Sequence, residues 1–293
     1  MIEGVAVALR STDPRFLSVV RKYIGPYRVE ELPSEHAARF SADCGIERRI
    51  PGGKVAHRKL KLYFGTMPIF GGRDMEQMAG RFIGFIRDTA TRASNEYLRV
   101  RAAGASLNGS ALILPSQPNP SLPTLAGLLA RGGGGYLGDE LINIDPILLK
   151  IHSAELPLLI DADDLKFFPE VPPPSFKSRV KGSEWARSAI QRHPLLPEAL
   201  GGRWSPPVSL GWVVFPEFEE GVTARLEPVS TAEAIFLFTQ ACMNLHVWQD
   251  RALILIRNLL EETPTSRLVM SSPNEGIHLV RTTAPRIMKE VKT

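Results

Sequence analysis

Cysteine is nearly absent from this chain of 293 residues: Cys44 and Cys242 are the only two, far apart and without metal-ligand spacing. They build neither a disulfide framework nor a zinc site, so two packing residues in a reducing cytoplasm are expected. Long apolar runs are missing as well; none approaches the roughly 20 residues that span a bilayer. The opening stretch, MIEGVAVALRSTDPRF, has no basic start followed by a long apolar region, so no secretory signal is expected. Charge imbalance is slight. A net charge of +4 permits an acidic partner and does not demand nucleic acid. There is no internal repeat, and no Gly-x-Ser-x-Gly elbow for serine hydrolase chemistry.

What is present describes an ordinary folded chain. Hydrophobic residues make up 44% and mean hydropathy is −0.04, enough apolar matter for one main domain and a smaller one. Residues 1–75 read as a small β-rich N-terminal region. Gly4–Leu9 is a strand, Asp13-Pro14 opens a helix over Arg15–Ile24, and Tyr27-Arg28-Val29 is extended. Pro51-Gly52-Gly53 turns into a strand over Lys54–Phe64, and Gly65–Gly72 reads as a loop. A basic cluster lies here, and Arg48, Arg49, Arg58, Lys59 and Lys61 are its candidate partner-binding residues. It is either a solvated strand face or a contact for an acidic protein. Nucleic acid is disfavoured, because no aromatic interleaves the basic run to form a stacking platform.

Residues 76–293 read as an α/β domain flanked by helices. A helix over Met75–Tyr97, with Phe82 and Phe85 in the core, leads to a strand near Leu98–Ala105. Asn108-Gly109 between apolar runs is a hairpin turn. Strand Ala111–Leu114 then enters a proline-rich loop, Pro115–Pro123, followed by a helix over Thr124–Arg131. Gly132–Gly135 is a turn after that helix and leads to the acidic pair Asp139-Glu140. Strand material over Ile142–Ile160 is interrupted at Asp145-Pro146, and Asp161, Asp163 and Asp164 read as a cap or turn rather than a calcium loop. Residues 169–207 form a proline-rich excursion, where Trp185 and Arg203-Trp204 either pack or face a partner. Strands Leu210–Phe215 and Thr223–Leu226 follow. Ser230 and Glu233 form a capping box, a helix spans Val247–Glu261, and a last short helix opens at Pro273.

Several of these pieces match one family in order and spacing. Ala102-Ala103-Gly104-Ala105, Asn108-Gly109, Ala111 to Pro115 and Gly138-Asp139-Glu140-Leu141 resemble the core of the HPr kinase family, in its HPr-kinase-related branch. Gly211 to Pro216 and Arg225 to Ser230 resemble the family's last strands and the start of its C-terminal helices. The likeness covers roughly residues 76 to 290. It implies a P-loop core sheet of the HPr kinase/PEP carboxykinase type, a cytoplasmic setting, and a homo-oligomer such as HPr kinases form. It also implies catalytic and metal-binding duties for Asp139 and Glu140, with Thr124 beside the metal.

The departures concentrate where nucleotide would bind. In place of the family's glycine-rich loop stands Ser116-Gln117-Pro118-Asn119-Pro120-Ser121-Leu122-Pro123-Thr124, with Leu122 where the phosphate-binding lysine would be. A phosphate cradle aims several backbone N–H groups at one anion and needs glycine dihedrals. Proline removes such donors, and leucine offers no charge. Arg101 replaces the family's histidine before Ala-Ala-Gly. The expectation is a degenerate, pseudokinase-like protein that binds a protein partner and holds no cofactor. The alternative is an ATP-dependent serine or small-molecule kinase with an unconventional loop. Magnesium would then sit on Asp139 and Thr124, and the nucleotide on Ser121, Thr124 and Arg101, with Arg131 as a further cation. A third reading is a module that binds anionic surfaces through Arg48 to Lys61.

Overall fold

The computed structural model describes residues 6–25, 38–45, 59–93, 96–116, 121–172 and 192–290. The chain divides into two units: Met1–Ser94 with Leu159–Leu165 and Pro172–Leu195, and Asn95–Leu158 with Lys166–Val171 and Leu196–Thr293. The result is a mixed α/β fold with a β-rich N-terminal region and a larger mixed sheet flanked by helices.

In the first unit, β1 (Val7–Ser11) lies parallel to β2 (Ala38–Asp43), and helix α1 (Pro14–Ile24) lies between them in sequence. The helix starts where it does because Pro14 occupies its first turn and the Asp13 carboxylate accepts the Arg15 N–H at 2.9 Å. Strands β3 (Leu60–Phe64) and β4 (Met67–Gly72) complete a four-stranded sheet in the order β1-β2-β3-β4. Helix α2 (Met75–Ala93) buries Met78, Phe82, Ile83 and Ile86 at helical spacing. Phe40, Phe64, Phe82 and Phe85 form the aromatic centre, with ring centroids 4.8 to 5.7 Å apart.

Three expectations change here. Met67–Gly72 is a strand rather than a loop: Pro68 is tolerated because β4 is an edge strand and its register shifts between Leu62 and Tyr63. Helix α2 ends at Ala93, short of Tyr97, and falls within Met1–Ser94 of the first unit. Strand β1 continues to Ser11, beyond Leu9. Tyr27-Arg28-Val29 and the basic residues Arg48, Arg49, Lys54, His57 and Arg58 lie outside the described residues.

The second unit opens with a correction. The strand expected over Leu98–Ala105 is two strands, β5 (Leu98–Val100) and β6 (Ala102–Leu107). They part at Arg101, whose N–H donates to the Ala241 carbonyl at 2.8 Å. The Asn108-Gly109 turn has the predicted geometry, with φ of 53° and 82°, and pairs β6 with β7 (Ser110–Pro115). Helix α3 (Leu122–Ala130), β8 (Gly135–Gly138), β9 (Ile142–Ile144) and β10 (Lys150–Ser153) follow. The break at Asp145 is a turn in which its carboxylate accepts the N–H groups of Ile147 and Leu148, both at 2.8 Å. Strand β11 (Leu158–Asp161) pairs with β12 (Arg192–Leu195) and the acidic run is a 3-10 helix over Ala162–Phe167; residues 159–165 and all of β12 belong to the first unit. Of the proline-rich excursion, residues 173–191, including Trp185, lie outside the described residues.

Strands β13 (Arg203–Trp204) and β14 (Val208–Phe218) complete the path β13-β8-β6-β7-β14-β10-β9-β5. Strand β15 (Arg225–Pro228) is displaced toward the C-terminus from the expected Thr223–Leu226. Ser230 caps α4 (Thr231–Ala241) by accepting the Glu233 N–H at 3.3 Å. The helix expected over Val247–Glu261 is two, α5 (Leu245–Trp248) and α6 (Asp250–Leu260), broken at Gln249 with φ of 49°. Strand β16 (Thr265–Met270) was not expected; it runs parallel to β14. Helix α7 (Pro273–Glu290) is long rather than short. Sheet residues Leu98, Val100, Ile113, Ile142 and Val213 share one core with Phe238 of α4 and Ile256 of α6. Among the described residues, no helix is long and apolar enough to cross a membrane.

Candidate functional site

Strand β6 is antiparallel to both β7 and β8, so β7 and β8 run in the same direction. Strand β14 is parallel to β7. The carboxyl ends of all three therefore share one edge of the sheet, the edge at which open α/β sheets bind ligands. Pro115 and Ser116 end β7 there, Gly138 and Asp139 end β8, and α3 begins after the intervening loop. Arg101 immediately precedes β6, whose Ala102 pairs with Pro115, and its carbonyl accepts the Ser116 N–H at 3.2 Å. One strand lies between β7 and β8, so their backbones stand about 10 Å apart. The sheet thus brings Arg101, Ser116 and Asp139 to one edge.

Asp139 is 2% exposed, and its Oδ1 accepts the Tyr136 hydroxyl at 3.0 Å. Tyr136 is itself buried and meets Trp204 edge-to-face with centroids 5.4 Å apart. That contact gives Trp204 of β13 a packing role. The turn that presents Asp139 is tight. A Cβ added to Gly138 would stand 2.2 Å from the Leu141 carbonyl oxygen, so this position accepts only glycine without movement of the backbone. Glu140 is half-buried.

The first turn of α3, where the resemblance places an anion, is apolar. All nine residues of α3 are buried, and Leu122 at its first position is fully so. Pro123 brings no N–H, and the Leu125 N–H is taken by the Ser121 carbonyl at 2.9 Å. Thr124 is 1% exposed. Ser121 stands at the N-cap position without making the side-chain cap bond. Arg101 is half-buried, and its guanidinium meets no hydrogen-bond or ion-pair partner among the described residues. Arg131 closes the far end of α3 in an ion pair with Glu170 at 2.7 Å, directed away from the helix start. No cluster of three or more histidine, cysteine or acidic side chains is placed to hold a metal among the described residues.

In the first unit, Lys59 is exposed and Lys61 is half-buried on β3, the two described members of the basic set. Both cysteines are packing residues: Cys44 is fully buried, and burial pushes the Cys242 thiol up to about 12. Sequence reasoning missed the Tyr136–Asp139 pair, although a tyrosine three residues before a buried carboxylate is the available signal. It also missed Asn244, 3% exposed, which accepts the Arg99 N–H at 2.9 Å and donates to the Tyr97 carbonyl. Arg99, Asn143 and His152 lie in register across β5, β9 and β10, a polar row inside the sheet. No protein-family model matches the chain, and no curated protein matches it.

Proposed function

We propose that the protein is a degenerate, HPr-kinase-like P-loop fold that no longer transfers phosphate and serves as a partner-binding or regulatory component. The observation that carries this reading is the burial of Leu122. A phosphate-binding lysine must reach solvent-borne anion from the first turn of its helix, and here that turn is apolar and packed. Pro123 adds a missing donor at the same place. Asp139 persists because it is buried and bonded to Tyr136, so it holds the β8–β9 turn rather than a metal. Relaxed demand on chemistry, with the demand on folding retained, leaves this pattern.

The competing reading, an ATP-dependent serine or small-molecule kinase, draws on Arg101 and Asp139 sharing a sheet edge. Radiolabelled ATP with magnesium separates the two. The scaffold reading expects no γ-phosphate release or transfer to seryl peptides above the buffer rate, and no difference between wild type and Asp139→Ala. Turnover that disappears in Asp139→Ala would establish the kinase.

A further inference from the structure

The four-stranded sheet of the first unit has two different faces. Phe40, Leu62 and Phe64 alternate toward α2, as the contacts of Phe40 and Phe64 with Phe82 and Phe85 require. The alternate positions occupy the other face. Arg10 pairs with Ser41, Ser41 with Tyr63, and Asp43 with Lys61, so these side chains lie in adjacent rows. Helices α1 and α2 pack together, and α2 lies on the apolar face. No described helix of this unit covers the polar one.

That face carries the cations Arg10 and Lys61 beside the Tyr63 hydroxyl. The Arg10 Nε donates to Ser41 Oγ at 2.7 Å, which fixes the guanidinium over the sheet, and its terminal nitrogens meet no partner among the described residues. The Lys61 ammonium and the Tyr63 hydroxyl have no hydrogen-bond or ion-pair partner among the described residues. The carboxylate of the row, Asp43, accepts the Gly45 N–H at 3.0 Å. A cleft of about 470 Å³ opens here, lined by Arg10, Ser41, Asp43, Tyr63 and Gly65 among others. Its volume falls within the range of ligand-binding clefts.

We propose that this open face seats an acidic, extended segment of a protein partner. Its carboxylates bind Arg10 and Lys61, and an apolar side chain rests in the cleft against the Tyr63 ring. Charge complementarity selects the occupant: the cations Arg10 and Lys61 flank a single aromatic, and the one carboxylate of the row, Asp43, accepts the Gly45 N–H. A strand of nucleic acid would need successive stacking rings, and among the described residues the face presents one. The proposal rests on the partner-binding reading above and supplies its surface.

The test is fluorescence anisotropy of the full chain with a fluorescein-labelled peptide of alternating glutamate and phenylalanine. Arg10→Glu with Lys61→Glu is expected to weaken binding at least about tenfold, Tyr63→Ala several-fold, and added salt steeply. Arg257→Glu, the same charge reversal as either single change but on helix α6 of the second unit, leaves affinity unchanged. Circular dichroism melts confirm that the variants fold. Undetectable peptide binding, equal loss in Arg257→Glu, or no loss in the double variant overturns the proposal. So does single-stranded oligothymidylate that binds more tightly than the peptide and is released by the double variant. The phosphotransfer assay is independent. If neither peptide nor phosphotransfer is seen, only this surface falls; if phosphate is transferred, the scaffold reading falls whatever the peptide does.

Discussion

Placing at Leu122 the lysine that the resemblance expects, by Leu122→Lys, should damage the protein. Leu122 is fully buried at the start of a fully buried helix. Replacing it forfeits part of a packed leucine, on the order of 2 kcal/mol. The ammonium must also be accommodated without water. A lysine that sheds its proton to stay buried costs about 1.36 kcal/mol per unit between the working pH and its ordinary value, or about 4.6 kcal/mol at pH 7. The two together rival the whole stability of an ordinary domain, roughly 5–15 kcal/mol. The sign with pH follows from linkage. The unfolded lysine binds its proton and the folded one does not, so stability rises with pH and the charge penalty shrinks to about 0.5 kcal/mol near pH 10. Denaturant melts of wild type, Leu122→Lys and the volume-conserving Leu122→Met at both pH values measure this. Leu122→Met should stay within about 1.5 kcal/mol of wild type. A lysine variant that costs less than about 1 kcal/mol at neutral pH, or that acquires ATP binding, refutes the reasoning.

Gly138→Ala places a Cβ against the Leu141 carbonyl, and chemical denaturation should register a loss of about 1–3 kcal/mol; an unchanged midpoint would show that the turn yields freely. In the first unit, burial lowers the His193 pKa below its ordinary 6.5, with Asp74 and Glu76 partly opposing. The unfolded state then binds the extra proton first, so the contribution of His193 is full above about pH 6.5 and is lost as pH falls toward the depressed value. His193→Gln should flatten that part of the stability–pH curve, and an unaltered slope would remove His193 as its source. Both thiols should resist iodoacetamide in the native state at about pH 8 and react in urea, with fast native alkylation of Cys242 contradicting its packing against the Phe238 carbonyl.

Local signals were legible where the chain carries its own geometry. Asn108-Gly109 needs positive φ at both positions, and the dipeptide states that requirement in the sequence. Asp13-Pro14 and Ser230 with Glu233 likewise announce their helix starts within a few residues. Features decided by distant partners were not legible. The break between β5 and β6 depends on the Ala241 carbonyl accepting the Arg101 N–H, which no neighbour of Arg101 encodes. Strand β16 becomes a strand because β14 and β15 flank it and bury Leu268 to Met270. Proline misdirected the reading of Met67–Gly72, since only the sheet order reveals that β4 is an edge. At the candidate site, the sequence pointed to a damaged anion loop. That Leu122 is sealed in the core, and that the Tyr136 hydroxyl meets Asp139, follows only from packing.

Calorimetric titration of magnesium–ATP into the full chain, with Asp139→Ala in parallel, tests the central claim most directly. No heat of binding at high micromolar nucleotide, identical in both proteins, is the predicted result. Saturable binding in the wild type that weakens in Asp139→Ala would place a nucleotide at the edge of β7 and β8 and contradict the account.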